Sequence, residues 1–364
     1  MIQNIFIFFI LIFSPTSSLA RDPHLWLEDL ESQATKSWVE TQNLRTRAYL
    51  GSSPLQRSLQ TRMQALTYSS PILPTLIGNK FYSIRRGQLR VAETWNGEGK
   101  TLIDPASFAP NGFGAIADYQ VSPDGNYIAF GISFYGGDSQ DWYVRSLADG
   151  QDIPGFPLIG IRIRGTNWAA DSSGLYYTKW ASAQENARGE RYNKIYFHRL
   201  GDVQSVDKVV YVDSKNKTNG LTAIEIDSGK KILVYNDDGA DEKTKLMLWD
   251  KAKAAWRRIA SYRRILTYVG QNGENIYFRS DSCGNKFCLV YLNIRRPTTI
   301  RVLVPEQRDI LMYAQLLGDH FVLRYSTHDF KTVVKIHSLD GILRNTLTFP
   351  ERGTVSAFTG LPKS

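Results

Sequence analysis

Cysteine is nearly absent: Cys283 and Cys288 are the only two among 364 residues. That excludes a densely stapled disulfide scaffold and a cysteine-built zinc module, which needs four ligands at close spacing. Histidine is as sparse, five in all, and none stands near the cysteines in sequence, so a mixed zinc site is excluded too. Long apolar runs are confined to the first twenty residues, and no later stretch approaches the roughly 20 residues of a spanning helix. Those first twenty carry no charged side chain. Finally, no serine has glycine at both −2 and +2. The strained G-x-S-x-G turn that exposes a nucleophilic serine is therefore not written here. Gly131-Ile132-Ser133-Phe134-Tyr135 has only the first glycine and reads as part of a strand.

Residues 1–20, MIQNIFIFFILIFSPTSSLA, read as a secretory signal peptide. Ile5 to Phe13 form its apolar block, Pro15 and the serines break it, and Ser18 and Ala20 place small residues at the recognition positions. The expectation is cleavage after Ala20 and a secreted or periplasmic product. The competing reading is an uncleaved anchor, since the n-region has no Lys or Arg. The apolar run, however, is about half the length a spanning helix needs.

The net charge of +9 therefore falls wholly on residues 21–364. Basic pairs such as Arg257-Arg258 and Arg295-Arg296 are scattered along the sequence and read as solvated strand edges, where charge discourages edge pairing. Nucleic acid is not an expected partner, nor is a membrane once the leader is gone. In SDSCGNKFCLVY, a hairpin turning at Asn285-Lys286 would set Cys283 opposite Cys288, close enough to bridge. An oxidising compartment would allow that disulfide.

What is abundant is a repeat. IGNKFYSI, SPDGNYIAFGI, DSSGLYYTKW, DSGKKILVYN, QNGENIYFRS and LGDHFVLRYS each place a turn glycine before alternating aromatic and β-branched residues. The glycines are Gly78, Gly125, Gly174, Gly229, Gly273 and Gly318, at intervals of 47, 49, 55, 44 and 45 residues. Such turns call for positive φ, and the runs after them alternate like half-buried strands. Further strand-like pieces lie between them. Several strands per 40–50 residues, repeated, is the signature of a β-propeller, expected over residues 69–364. A seventh repeat is due near Gly360, where only four residues follow. Residues 21–68 have instead a helical texture, with a first helix ended by Gly51 and Pro54 and a second over Gln56 to Ala65.

At this point the chain resembles a known family. DPHLWLEDLESQATKSWVETQN (Asp22 to Asn43) is similar to the N-terminal signature of the prolyl oligopeptidase family of serine peptidases, although His24 stands where an aromatic is usual. LIDPASFAPNG, ADYQVSPDGNYIAFGIS, NWAADSSGLYYTKW, RYNKIYFHRLG, LVPEQRDIL and GTVSAFTG extend the likeness over essentially all of residues 21–364.

The resemblance implies a seven-bladed propeller, about six blades of it present here and incomplete at the last. In the family this propeller caps an α/β-hydrolase domain and acts as a filter that admits short peptides. The family cleaves after proline, as a serine-type endopeptidase. Tyr176, in SSGLYYT, matches a family position whose aromatic reaches the substrate cavity; an aromatic packed between blades is the other reading. His198, His320, His328 and His337 read as strand or turn residues rather than a catalytic base. DDGADE (237–242) lacks calcium-ligand spacing and reads as a solvated loop.

The expectation is therefore a gating propeller with no catalytic residue, metal or cofactor of its own. It would act on short proline-containing peptides only with a hydrolase domain joined or complexed to it. The alternatives are a non-catalytic module docking a separately encoded partner, and a decayed gene product. The leader reading is checked by intact mass of the exported product: loss of residues 1–20 is expected, and a retained leader refutes it.

Overall fold

The structure is a computed structural model describing residues 22–51, 54–66, 74–109, 113–188, 193–213, 220–237, 244–262, 265–349, 355 and 358. The chain divides into two compact units, Met1–Ser70 and Pro71–Ser364.

In the first unit, α1 (Gln33–Leu50) starts at Ser32, whose hydroxyl accepts the Thr35 amide at 3.2 Å, and stops at Gly51. A side-chain oxygen at the N-cap satisfies an amide that has no partner within the helix. α2 (Pro54–Leu66) opens on proline, whose missing N–H costs nothing in a first turn. Ahead of α1, Trp26 meets Trp38 edge-on at 6.3 Å, and the Thr35 hydroxyl donates to the Trp26 carbonyl.

The second unit is built of strands. β1 (Thr75–Ile77), β2 (Lys80–Arg85), β3 (Gln88–Ala92) and β4 (Lys100–Ile103) form one antiparallel sheet. A seven-stranded sheet follows. It holds β5 (Gly114–Val121), β6 (Tyr127–Phe134), β7 (Ser139–Ser146), β8 (Leu158–Trp168), β9 (Gly174–Lys179), β10 (Lys194–Arg199) and β11 (Lys208–Val212). A third sheet contains β12 (Gly220–Ile226), β13 (Lys231–Asp237), β14 (Thr244–Asp250) and β15 (Ala255–Tyr262). The fourth contains β16 (Leu266–Asn272), β17 (Asn275–Ser280), β18 (Cys288–Asn293) and β19 (Arg296–Val304). The fifth contains β20 (Ile310–Leu317), β21 (His320–Ser326), β22 (Thr332–Ser338) and β23 (Leu343–Thr348).

The seven-stranded sheet is two blades sharing one strand. The first part of β8 pairs with β7, as in Gln140↔Ile161, and the last part with β9, as in Thr166↔Tyr177. Between them Gly165, at φ +63°, passes Trp142 so closely that a Cβ would stand 2.9 Å from the indole. The described strands of this unit thus form six blades, and the first strands of neighbouring blades approach one another, β5 to β8, β8 to β12 and β16 to β20.

Alternation along the strands supplies the core. In β17, Ile276 and Phe278 face the third sheet with Leu233, Leu246 and Leu248, whereas Tyr277 faces the fifth with Phe321 and Leu323. Each blade thus gives one face to each neighbour, and five apolar clusters separate the six blades. Val355 and Phe358 lie over the outward face of the last sheet. Arg324 donates to the Val355 carbonyl, and the Phe358 ring stands 6.2 Å from Tyr313. Gly360 lies outside the described residues.

Five of the six repeat glycines do take positive φ. Gly174 is the exception: Ser172 holds the left-handed position, at φ +60°. At Gly174 a Cβ would meet the His198 carbonyl oxygen at 2.1 Å, so close backbone approach is the requirement there. The chain does turn at Asn285-Lys286, with the Phe287 amide donating to the Gly284 carbonyl, but that turn does not set Cys283 opposite Cys288 in a hairpin. Cys288 pairs across the ladder with Ser280, and residues 281–287 form a longer loop, because the Cys283 end is drawn into turns closed by Asp281 and Gly284. Cys283 and Cys288 are disulfide-bonded across that loop rather than facing each other in the ladder.

Removing Phe278, which has no exposed surface, by Phe278→Ala should cost about 3–5 kcal/mol in urea denaturation. Phe330→Ala, at a side chain 82% exposed in a turn, should stay within about 0.5 kcal/mol of the parent. Equal losses would refute the layered core.

Candidate functional site

The polar side chains with catalytic potential lie mostly between blades. Neighbouring tyrosines on β9 point to opposite sides. Tyr176 faces the third sheet, is 5% exposed, and packs on Phe197 at 4.9 Å. Its hydroxyl donates to Glu225 Oε1 at 2.6 Å, while Glu225 Oε2 accepts the Ala170 amide at 2.8 Å. Lys251 closes on the same carboxylate. Burial first, and then the hydrogen bond to Glu225, raise the Tyr176 phenol far above its ordinary value, so it remains a neutral donor. A hydroxyl engaged in this way has no free donor for a peptide.

Tyr177 points to the other side. Its hydroxyl donates to Asp207 Oδ2 at 2.8 Å, and His198 Nδ1 stands 2.9 Å from Asp207 Oδ1. Gln204 ties this cluster to β8, accepting the Ile159 amide and donating to the Ile159 carbonyl. A carboxylate holding an imidazole is the orienting half of a hydrolytic triad. Here the half stands alone. His198 has no exposed surface, packs edge-on to Phe156 at 4.8 Å, and its Nε2 has no partner among the described residues. No water-borne acyl group can reach that nitrogen.

Ser133 and His337 are likewise committed. Ser133 donates to the Gly137 carbonyl at 2.7 Å from within β6, and no strand-to-helix turn surrounds it. His337 is buried with Nδ1 2.9 Å from the Gly341 carbonyl oxygen, and burial lowers its pKa. His320 sits beside Asp319. Residues 238–242 of the acidic stretch lie outside the described residues. Among the described residues no group of three or more His, Cys, Asp or Glu is placed to hold a metal. Glu225 and Asp207, the hubs of both clusters, were not singled out from sequence. The signal for Glu225 was a carboxylate breaking the apolar alternation of LTAIEI.

Comparison with known proteins decides the family. The family described as prolyl oligopeptidase, N-terminal β-propeller domain, matches residues 14–364. The chain belongs to the prolyl oligopeptidase family. Among curated relatives, prolyl oligopeptidase A of Amanita bisporigera is 26% identical over 327 residues, covering 78% of this chain and 43% of that protein. A prolyl endopeptidase of Elizabethkingia miricola is 22% identical over 354 residues, 93% of this chain and 49% of its own length. The chain thus spans about half the length of the curated relatives it matches. Solved structures agree on the fold. One from a study of two prolyl endopeptidases and their inter-domain dynamics superposes with a TM-score of 0.80 at 23% identity, over 93% of this chain and 52% of that one. Prolyl oligopeptidase B of Galerina marginata, bound to a 35mer hydrolysis and macrocyclization substrate, gives 0.74 at 19%, over 90% of this chain and 50% of that one.

Within this family propeller, Tyr176→Phe strips a hydrogen bond from a buried carboxylate and should cost about 1–3 kcal/mol in chemical denaturation. A substrate-facing tyrosine would instead leave stability unchanged, and that result would overturn the packing assignment.

Proposed function

We propose that this chain is the gating, substrate-filtering propeller of a prolyl-oligopeptidase-like serine peptidase. Cleavage of short peptides after proline then requires an α/β-hydrolase domain joined to it or docked upon it. One observation carries the reading: the family's propeller description matches residues 14–364, and the relatives it resembles are covered over only about half their length. The chemistry of the described residues supports it. Acyl transfer needs a nucleophile, an activating base and an oxyanion hole in one place, and the buried acid, imidazole and phenol groups here are spent on one another, Tyr176 with Glu225 between blades and Tyr177 and His198 with Asp207 within one. In the same reading the chain is exported and its leader is removed after Ala20.

A docking partner is favoured by the aromatic residues at one end of the blades. In antiparallel blades the beginning of the first strand and the end of the second share an end. Phe113 precedes β5 and Tyr135 follows β6; their rings stack at 5.3 Å although both are well exposed. Trp180 follows β9 and Phe330 lies in the loop after β21, so they belong to the corresponding end of their own sheets. Exposed aromatics gathered in this way suit an interface.

The full chain alone should show no turnover of a Gly-Pro chromogenic peptide. Turnover abolished by a serine-directed covalent inhibitor, with the inhibitor found bonded to this chain, would refute the proposal. Turnover that appears only when a separately produced hydrolase domain is added is the expected positive result.

A further inference from the structure

Residues 251–308 contain twelve Lys and Arg but only three Asp and Glu. That surplus equals the +9 of the entire chain, and the remainder holds thirty-two residues of each sign. The fold turns this stretch into a surface. β15 and β19 are the outermost strands of neighbouring sheets and approach each other. Lys253, Arg257 and Arg258 lie at or on β15, and Arg295, Arg296 and Arg301 at or on β19, all of them exposed. Arg295 pairs with Glu274, and Arg257 donates to the Ile294 carbonyl at 2.7 Å. Lys253, Arg258, Arg296 and Arg301 have no ion pair among the described residues.

Two cavities open along this rim and share Glu274 and Arg295. One, of about 680 Å³, lies between the third and fourth sheets; Lys253 and Arg257 line it together with Asp250 and the Lys231–Asp227 ion pair. The other, of about 600 Å³, brings Arg296 and Arg301 together with Asn275, Asn293, Thr299 and Tyr291. Solvated edge charges would need neither the local surplus nor the cavities. Guanidinium forks beside amide and hydroxyl groups match phosphate oxygens in geometry and charge.

We propose that the outer rim formed by β15 and β19 is a binding site for ligands carrying clustered phosphate groups. The site stands on the outer strands, away from the first strands of the blades, and is independent of the peptidase reading. The ligand source is either a phospholipid headgroup layer or a soluble polyphosphate.

Sedimentation of the full chain with phosphatidylglycerol vesicles, with phosphatidylcholine vesicles as reference, tests it, and inorganic triphosphate serves as competitor. Binding to the anionic vesicles alone is expected, weakening as salt shortens the range of the attraction. Each arginine removed should weaken binding about five-fold, so Arg258→Gln, Arg296→Gln and Arg301→Gln together should cost on the order of 100-fold. Lys at the same three positions should recover most of it. Lys80→Gln, Lys100→Gln and Lys208→Gln, an equal charge loss elsewhere, should change binding less than about three-fold. Triphosphate binding without vesicle binding assigns the site to soluble phosphates; vesicle binding that triphosphate does not displace assigns it to lipid. The proposal falls if neither probe binds. It also falls if the glutamine variant, melting like the parent, binds as tightly, or if the distant lysine variant loses as much.

Discussion

Every blade but the first and last has two apolar faces, and neither can be buried without a neighbour. Phe278 and Tyr277 are adjacent in sequence yet belong to different clusters, one shared with the third sheet and one with the fifth. A single blade would expose half of its aromatic surface, so stability grows by stacking rather than by enlarging one core. The requirement explains why 12% of the residues are aromatic. Flat rings fill the gap between facing sheets and gain further from edge and offset contacts. It also explains β8, where one strand ends a blade and begins the next with no loop between them.

Several side chains reach across these layers to a partner on a neighbouring blade, among them Tyr119 to the Tyr82 carbonyl and Trp168 to the Gln120 carbonyl. Tyr176 and Tyr177 send hydroxyls in opposite directions, to Glu225 and to Asp207. In a low-dielectric layer such bonds are strong when complete and costly when broken; Tyr176 ties its blade to the next one, whereas Tyr177 ties β9 to the segment before β11 of its own blade. The same pairing removes these groups from chemistry. The Asp207–His198 pair has the geometry of a catalytic orienter, but it is closed over by Phe156 and the surrounding apolar residues. In this family propeller, acid, imidazole and phenol act as structural elements within blades and between them.

The charge distribution follows from the same architecture. Inner and middle strands face sheets on both sides and tolerate few ions, whereas fourth strands lie at the rim. The surplus cations between residues 251 and 308 fall largely on two such strands and the turns beside them. Basic pairs that look scattered along the sequence are brought together because β15 and β19 are neighbours in space, although forty residues apart.

Local chemistry alone determined much of this protein. Turn glycines at nearly even spacing, with alternating residues after them, announced six blades, because tight turns and two-residue periodicity are properties of short segments. Gly51 and Pro54 marked the break between the helices for the same reason. Other features needed the third dimension. Tyr176 faces a neighbouring sheet because Glu225, 49 residues away, receives its hydroxyl there. The loop holding Cys283 and Cys288, the close approach at Gly174 and the company kept by Arg258 and Arg301 were likewise decided by packing. Each depends on which distant strand lies alongside, and a one-dimensional pattern carries periodicity but not the identity of the neighbour.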